Sequence, residues 1–266
     1  MMPLRFEVLG SSSSGNCAFI QTADAKVLID AGFSGRRIGG LLESIGESPD
    51  TLDAVFLTHE HSDHIAGVKG LSRRADLPFY ATAGTAKVVQ DKLTRRANWK
   101  IFEAGASFRF RDLEILSFRL PHDAIDPVGF LFETGSRDDL FNPHKSLAWV
   151  TDLGYIPQNV AQRVAQAQLL VLESNHDVDM LDRDERRPWS LKQRIKGRHG
   201  HLSNEAAHQF ISQTTNARWE HIMLAHLSSA CNDVPRVAEL FVDCARLGRQ
   251  ITVIDPEVSC PARCVL

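Results

Sequence analysis

An α+β fold, two β-sheets packed face to face with helices outside, is predicted by three observations. Short apolar, β-branched segments gather in two β-rich stretches, each flanked by segments of helical periodicity. No Pro-, Gly- or Ser-rich linker divides the 266 residues, so residues 1–266 read as one domain. Hydrophobic residues make up 43% and charged residues 24%, ordinary values for a globular chain able to bury one sizeable core.

Strands are expected at 5–10, 17–22 and 26–30, followed by a helix at 35–45 and a buried strand in Asp53-Ala-Val-Phe-Leu-Thr58. A helix near 64–73, a strand at 78–81 and a helix at 84–96 come next. Residues 99–134 read as consecutive strands punctuated by Gly105, Asp112 and Pro127. Strand 146–150, helix 157–166, strand 168–173, helix 204–214, strand 220–225, helix 233–246 and strand 250–254 then alternate.

The run Thr58-His-Glu-His-Ser-Asp-His-Ile65 lies between a strand and a helix start, so His59, His61, Asp63 and His64 share one tightly curled loop. Imidazole and carboxylate groups suit zinc and its first-row neighbours, and a curl that crowds them needs a cation to stabilise it. His122 follows the strand-like Leu113–Leu120, Asp152 follows Ser146–Thr151, and His226 follows His221–Ala225. Each therefore emerges where a strand ends, the usual place for ligands carried by a rigid scaffold.

The formal net charge of −3 argues against a protein that coats nucleic acid with its whole surface. Between residues 183 and 198, however, Arg183, Arg186, Arg187, Lys192, Arg194, Lys196 and Arg198 face only Asp184 and Glu185, with Trp189 among them. This arm leads directly to His201. It is either a solvated charge run or a surface where cations neutralise phosphates and Trp189 stacks on a base. Arg36-Arg37, Arg73-Arg74 and Arg95-Arg96 could extend such a track, but the sequence does not place them on one face.

No apolar run approaches the ~20 residues that span a bilayer, and the N-terminus enters a strand rather than a signal peptide, so a cytoplasmic protein without membrane contact is expected. Five cysteines with scattered spacing do not suggest a disulfide framework. Cys260 and Cys264 lack the second pair that a zinc clip requires, and read as tail or buried thiols.

The sequence resembles the metallo-β-lactamase superfamily in Leu28-Ile-Asp30-Ala-Gly32, the His59–His64 run, His122, Asp152 and His226, taken in order. Gly10-Ser-Ser-Ser-Ser-Gly-Asn16, Glu173-Ser-Asn-His-Asp177, Gly200-His-Leu-Ser-Asn204 and Ala225-His-Leu-Ser-Ser-Ala-Cys-Asn232 are similar to the YycJ/WalJ-type exonucleases within it. The resemblance implies a four-layer αββα fold, a site for two divalent metal ions (zinc, with manganese or iron as alternatives), and 5′-to-3′ degradation of DNA linked to mismatch-repair proteins. It also implies that His59, His61 and His122 hold one ion, that Asp63, His64 and His226 hold the other, and that Asp152 bridges them. Asp30 would steady the ligand loop from behind or act as a turn residue.

A hydroxide shared by the two ions would then attack the phosphodiester, with Asp63 orienting it and His201 donating a proton to the leaving alkoxide. His201 could instead be a helix-entry residue beside the cap Ser203. His176 and Asn175 read either as phosphate contacts or as turn residues. The Ser11–Asn16 loop, Ser12 included, reads either as a cradle of backbone N–H groups for phosphate or as a tight turn. A small-molecule or cyclic-nucleotide phosphodiesterase is the alternative; a glyoxalase-II-like thioesterase, which has no use for the basic arm, is disfavoured, as are a β-lactamase and a non-catalytic scaffold.

Overall fold

The first strands form antiparallel hairpins in the computed structural model, which describes residues 4–245, 248–257 and 262–266. Strands β1 (Arg5–Ser12), β2 (Gly15–Gln21), β3 (Lys26–Ile29), β4 (Ala54–Phe56), β5 (Pro78–Ala81) and β6 (Asn98–Ile101) build one sheet. β7 (Ser107–Phe110), β8 (Leu113–Arg119), β9 (Val128–Thr134), β10 (Lys145–Val150), β11 (Leu169–Glu173), β12 (His221–Ala225) and β13 (Gln250–Val253) build the second. The last strand, β14 (Ala262–Val265), returns to the first sheet and pairs antiparallel with β1, Arg5 opposite Val265. The strand orders are β14-β1-β2-β3-β4-β5-β6 and β13-β12-β11-β10-β9-β8-β7. In each sheet an antiparallel half gives way to a parallel half, at β3–β4 in the first and β10–β11 in the second.

Side-chain alternation along each strand separates three apolar layers. Between the sheets lie Phe6, Phe56, Phe130, Phe132, Trp149, Val171 and Met223. On the outer face of the first sheet, Phe19, Leu28, Val55 and Phe79 pack against α1 (Gly35–Ser44), α3 (Val68–Leu71) and α4 (Ala83–Asp91) through Ile38, Val68 and Val89. On the outer face of the second, Val150, Leu170, Leu172 and Ile222 meet α5 (Gln158–Val164), α8 (Asn204–Gln213) and α9 (Val234–Leu240) through Val160, Ile211 and Val237. Helix, sheet, sheet, helix is the resulting layer order, as the sequence led us to expect.

Differences from the sequence reading have local causes. The helix expected at 64–73 begins earlier and is two short pieces, α2 (Ser62–Ile65) and α3, joined at Gly67, where a Cβ would lie 2.5 Å from the Phe33 carbonyl oxygen. The helix expected over 233–246 likewise parts at Phe241 into α9 and α10 (Val242–Ala245). Helices α6 (Val178–Arg183) and α7 (Trp189–Lys196) fall within the basic arm and were not anticipated as helices. Cys264 is buried on β14 within the inter-sheet layer, while Cys260 lies outside the described residues. No helix is long and apolar enough to cross a membrane among the described residues.

Phe56 stacks on Tyr80 at 4.8 Å and meets Phe130 and Phe132 edge-on, two residues before the ligand loop begins. Phe56→Ala is therefore expected to destabilise the protein by about 3–5 kcal/mol, read as a lower denaturant midpoint with an unchanged slope.

Candidate metal centre

Three left-handed residues turn the chain at the ends of parallel strands. Asp30, just after β3, has φ 59°; Asp152, just after β10, has φ 66°; His226, just after β12, has φ 58°. Non-glycine residues in this region cost about 1–2 kcal/mol each, strain that tends to be kept where it positions a functional group. Here the sharp turns help bring all three side chains to one edge of the molecule, where the loop from β4 into α2 delivers His59, His61, Asp63 and His64.

These side chains gather into overlapping sets. His59, His61 and His122 offer ligand atoms that all lie within 4.8 Å of one another, as do Asp63, His64 and His226. Asp152 stands between the sets: its carboxylate oxygens are 3.3 Å from His64 Nε2, 3.4 Å from His226 Nε2 and 3.8 Å from His122 Nε2. His59 Nε2, His226 Nε2 and Asp152 Oδ2 are buried with no hydrogen-bond partner. Buried polar atoms are nearly always satisfied, so orphaned atoms on converging ligands are the mark of a cation site. The seven residues fit a divalent metal centre.

The far ring nitrogens are held from behind, which selects the metal-facing nitrogen. His64 Nδ1 meets Asp30 Oδ2 at 2.7 Å, and Asp30 also accepts from the Thr58 N–H at 2.8 Å. His122 Nδ1 meets the Gly200 carbonyl at 3.1 Å, and His59 Nδ1 meets Thr58 Oγ1 at 3.0 Å. His226 Nδ1 meets Glu173 Oε1 at 2.9 Å. Gly32 closes the front of this frame: a Cβ there would lie 1.7 Å from the Asp63 carbonyl oxygen, so the chain passes only without one.

Glu173 is the residue whose role the sequence did not disclose. It is fully buried, and its Oε1 also receives His201 Nδ1 at 2.8 Å, while Oε2 accepts the N–H groups of Leu153 at 3.1 Å and Leu202 at 2.9 Å. Burial opposes its ionisation, but the His201 charge and hydrogen bonds from His201 and His226 outweigh that and hold it well below the usual carboxylate range. Burial likewise lowers His201, but the charge and hydrogen bond of Glu173 prevail and raise it above its ordinary value. With Nδ1 engaged by Glu173, the free atom of His201 is Nε2. The ring lines the cleft over the site, 5.1 Å from the His122 ring and 5.3 Å from the His226 ring.

That cleft, of about 270 Å³, is lined by His61, Asp63, Asp152, His201 and His226, with Ser13, Asp123, Asn175, Arg187, Leu191, Arg194, Ile195 and Ser228 around them. Asn175 donates Nδ2 to the His226 carbonyl at 2.8 Å. Arg187 pairs with Asp184, and Arg194 with Asp123. The rest of the expected substrate set lies outside the lining. Lys192 is buried and donates to the Asp182 carbonyl at 2.7 Å; Lys196 pairs with Asp182; Arg198 stacks over Tyr155 at 4.5 Å. Trp189 is 68% exposed on the face of α7 that carries Lys196, whereas Leu191, Arg194 and Ile195 form the face toward the cleft.

His176 is buried, its Nδ1 unpartnered, with burial pulling it down to about 4. It does not line the cleft; its backbone bridges to Ser203. Ser12 bridges to Leu227 and its hydroxyl meets Ser14, so Ser13 is the loop residue that faces the cleft. Ser11 Oγ accepts from the His226 N–H at 2.9 Å, and Asn16 Nδ2 lies 3.2 Å from His64 Nε2. The serine-rich loop thus supports the ligands directly. Asn232 Nδ2 ties the Ser174 and Asn175 carbonyls to Asn204 Oδ1, which locks the three downstream polar blocks together.

A sequence family described as the beta-lactamase superfamily domain matches residues 25–226. The chain is 38% identical over 240 residues to "Exodeoxyribonuclease WalJ" of Streptococcus pneumoniae, covering 89% of this chain and 86% of that protein. It is 37% identical over 229 residues to "Exodeoxyribonuclease YycJ" of Bacillus anthracis, covering 85% and 83%. The crystal structure of the metallo-beta-lactamase fold protein YhfI from Bacillus subtilis superposes with a TM-score of 0.71 at 17% identity, covering 99% of this chain and 100% of that one, which shows the shared fold. By fold and by sequence, this chain belongs to the metallo-β-lactamase superfamily and, within it, to the group that contains WalJ and YycJ.

Proposed function

We propose that this protein is a metal-dependent phosphodiesterase that degrades DNA from the 5′ end, a 5′-to-3′ exonuclease built as one domain and linked to mismatch repair. The observation that carries the reading is Asp152 standing between two largely buried ligand sets in a cleft that also holds His201, Arg187 and Arg194. The names of the relatives, exodeoxyribonucleases over most of this chain's length, support DNA as substrate. Two divalent ions, zinc, manganese or iron, would be held by His59, His61 and His122 and by Asp63, His64 and His226, with Asp152 common to both. Bound there, such ions lower the pKa of water and offset charge on phosphate oxygens.

The chain's own groups supply the rest. Burial raises the Asp63 pKa, but the neighbouring His226 and His64 rings prevail and keep the carboxyl ionised, ready to accept a hydrogen bond from the attacking water. His201, charged through its pairing with Glu173, presents Nε2 to the leaving oxygen and donates the proton that an alkoxide needs. Arg187 and Arg194 meet the scissile phosphate and its neighbour, while Leu191 and Ile195 offer apolar surface to a base.

Replacing Arg187 and Arg194 together by Gln tests the substrate class. Degradation of long DNA should fall at least about tenfold while hydrolysis of bis-(p-nitrophenyl) phosphate persists. Equal retention of both activities would move the substrate to a small phosphodiester.

A further inference from the structure

From the groove beside the ligand loop we infer a second, non-catalytic nucleic-acid contact, a basic track along α2 and α3 that holds the DNA backbone beyond the cleft. It rests on the nuclease reading above. Ser62, Ala66, Lys69 and Arg73 are all exposed, at spacings of four, three and four residues. Ala66 and Gly67, between the two short helices, keep right-handed helical backbone, so these positions form one continuous stripe. It starts beside His61 and spans about 16 Å, the length of about five stacked base pairs.

Helix α1 supplies the other wall. It crosses α3 with backbone against backbone, a Cβ on Gly70 falling 3.0 Å from the Gly35 Cα. That approach sets Arg36 beside Lys69 and Arg73 around a groove of about 630 Å³. The side chains of Arg36, Lys69 and Arg73 have no ion-pair or hydrogen-bond partner among the described residues, whereas that of Arg74 at the groove's edge is spent on the Pro49 and Leu52 carbonyls and Asp76. Asp50 is the single carboxylate in the lining. Three exposed, unpaired cations around a groove whose lining includes Ala66, two residues past the ligand His64, match a sugar-phosphate backbone, which repeats negative charge without demanding sequence. In a protein of net charge −3 such a concentration of unpaired cations is a local feature rather than a general basic surface.

The test is binding of a fluorescein-labelled duplex of about 30 base pairs, made resistant to hydrolysis by phosphorothioate linkages, to the metal-loaded protein at several salt concentrations. Charge reversal at all three positions, Arg36→Glu with Lys69→Glu and Arg73→Glu, should weaken binding at least about tenfold and reduce the salt slope by about 2–3. Binding of a dinucleotide, too short to leave the cleft, should not change. Asp50→Lys should tighten duplex binding. Wild-type affinity and slope in the reversed variant, or no tightening with Asp50→Lys, overturns the track alone. A wild-type protein that neither binds nor degrades duplex DNA overturns the nuclease reading, and the track with it.

Discussion

Asp152→Asn is expected to reduce hydrolysis at least about a hundredfold while leaving stability near wild type. The Asp152 carboxylate oxygens approach the Nε2 atoms of ligands in both sets, His122 at 3.8 Å on one side, His64 at 3.3 Å and His226 at 3.4 Å on the other. Burial acts against its charge, but His226 and His64 overcome this and hold Asp152 below the usual carboxylate value. An amide keeps the shape and loses the charge that joins the two sets. Asparagine also tolerates the left-handed backbone at φ 66°, which alanine does not. Asp152→Ala should therefore lose the same activity and about 1–2 kcal/mol of stability besides. Rate and denaturation midpoint measured together separate the two effects. A fully active Asn variant would remove Asp152 from the chemistry.

Glu173→Gln should impair two functions at once. Glu173 accepts from four donors, the His226 and His201 rings and the Leu153 and Leu202 amides, so a glutamine NH₂ must face a donor and leave a buried N–H unpaired. Metal affinity should fall about 10–100-fold, because His226 loses the partner that fixes its ring. The pH profile gives the second readout. His201 must be protonated to act as the acid, so the rate falls as pH rises through its pKa. Glu173 holds that pKa above the ordinary value, and neutralising Glu173 moves the alkaline limb to lower pH. An alkaline limb that stays in place would assign the proton donor to another group.

The parallel strands and the ligand loop were legible because their signals are local. Leu169–Glu173 and His221–Ala225 are continuous apolar runs, as strands buried on both faces must be, and His59–His64 carries its spacing within one loop. β14 was not legible, since its Ala262–Val265 segment is short and its partner β1 lies at the other end of the chain. α7 escaped because only Lys192 is buried along it, so it has no apolar stripe to read. Glu173 stands in the sequence only as the first residue of the Glu173–Asp177 block. It reads as the polar end of a strand until folding brings His201 and His226 to it, 28 and 53 residues downstream. The basic arm needed the fold to be read: its charge density left a solvated run and a phosphate-binding surface both open, and the helix points Arg194 to the cleft, Lys192 to the Asp182 carbonyl and Trp189 outward.

Degradation of linear double-stranded DNA labelled at one end or the other, with manganese or zinc present and Asp152→Asn as control, tests the central claim most directly. Progressive loss from the 5′ end that needs metal and vanishes in the control is the predicted result. Intact DNA beside active, metal-dependent hydrolysis of bis-(p-nitrophenyl) phosphate would contradict it.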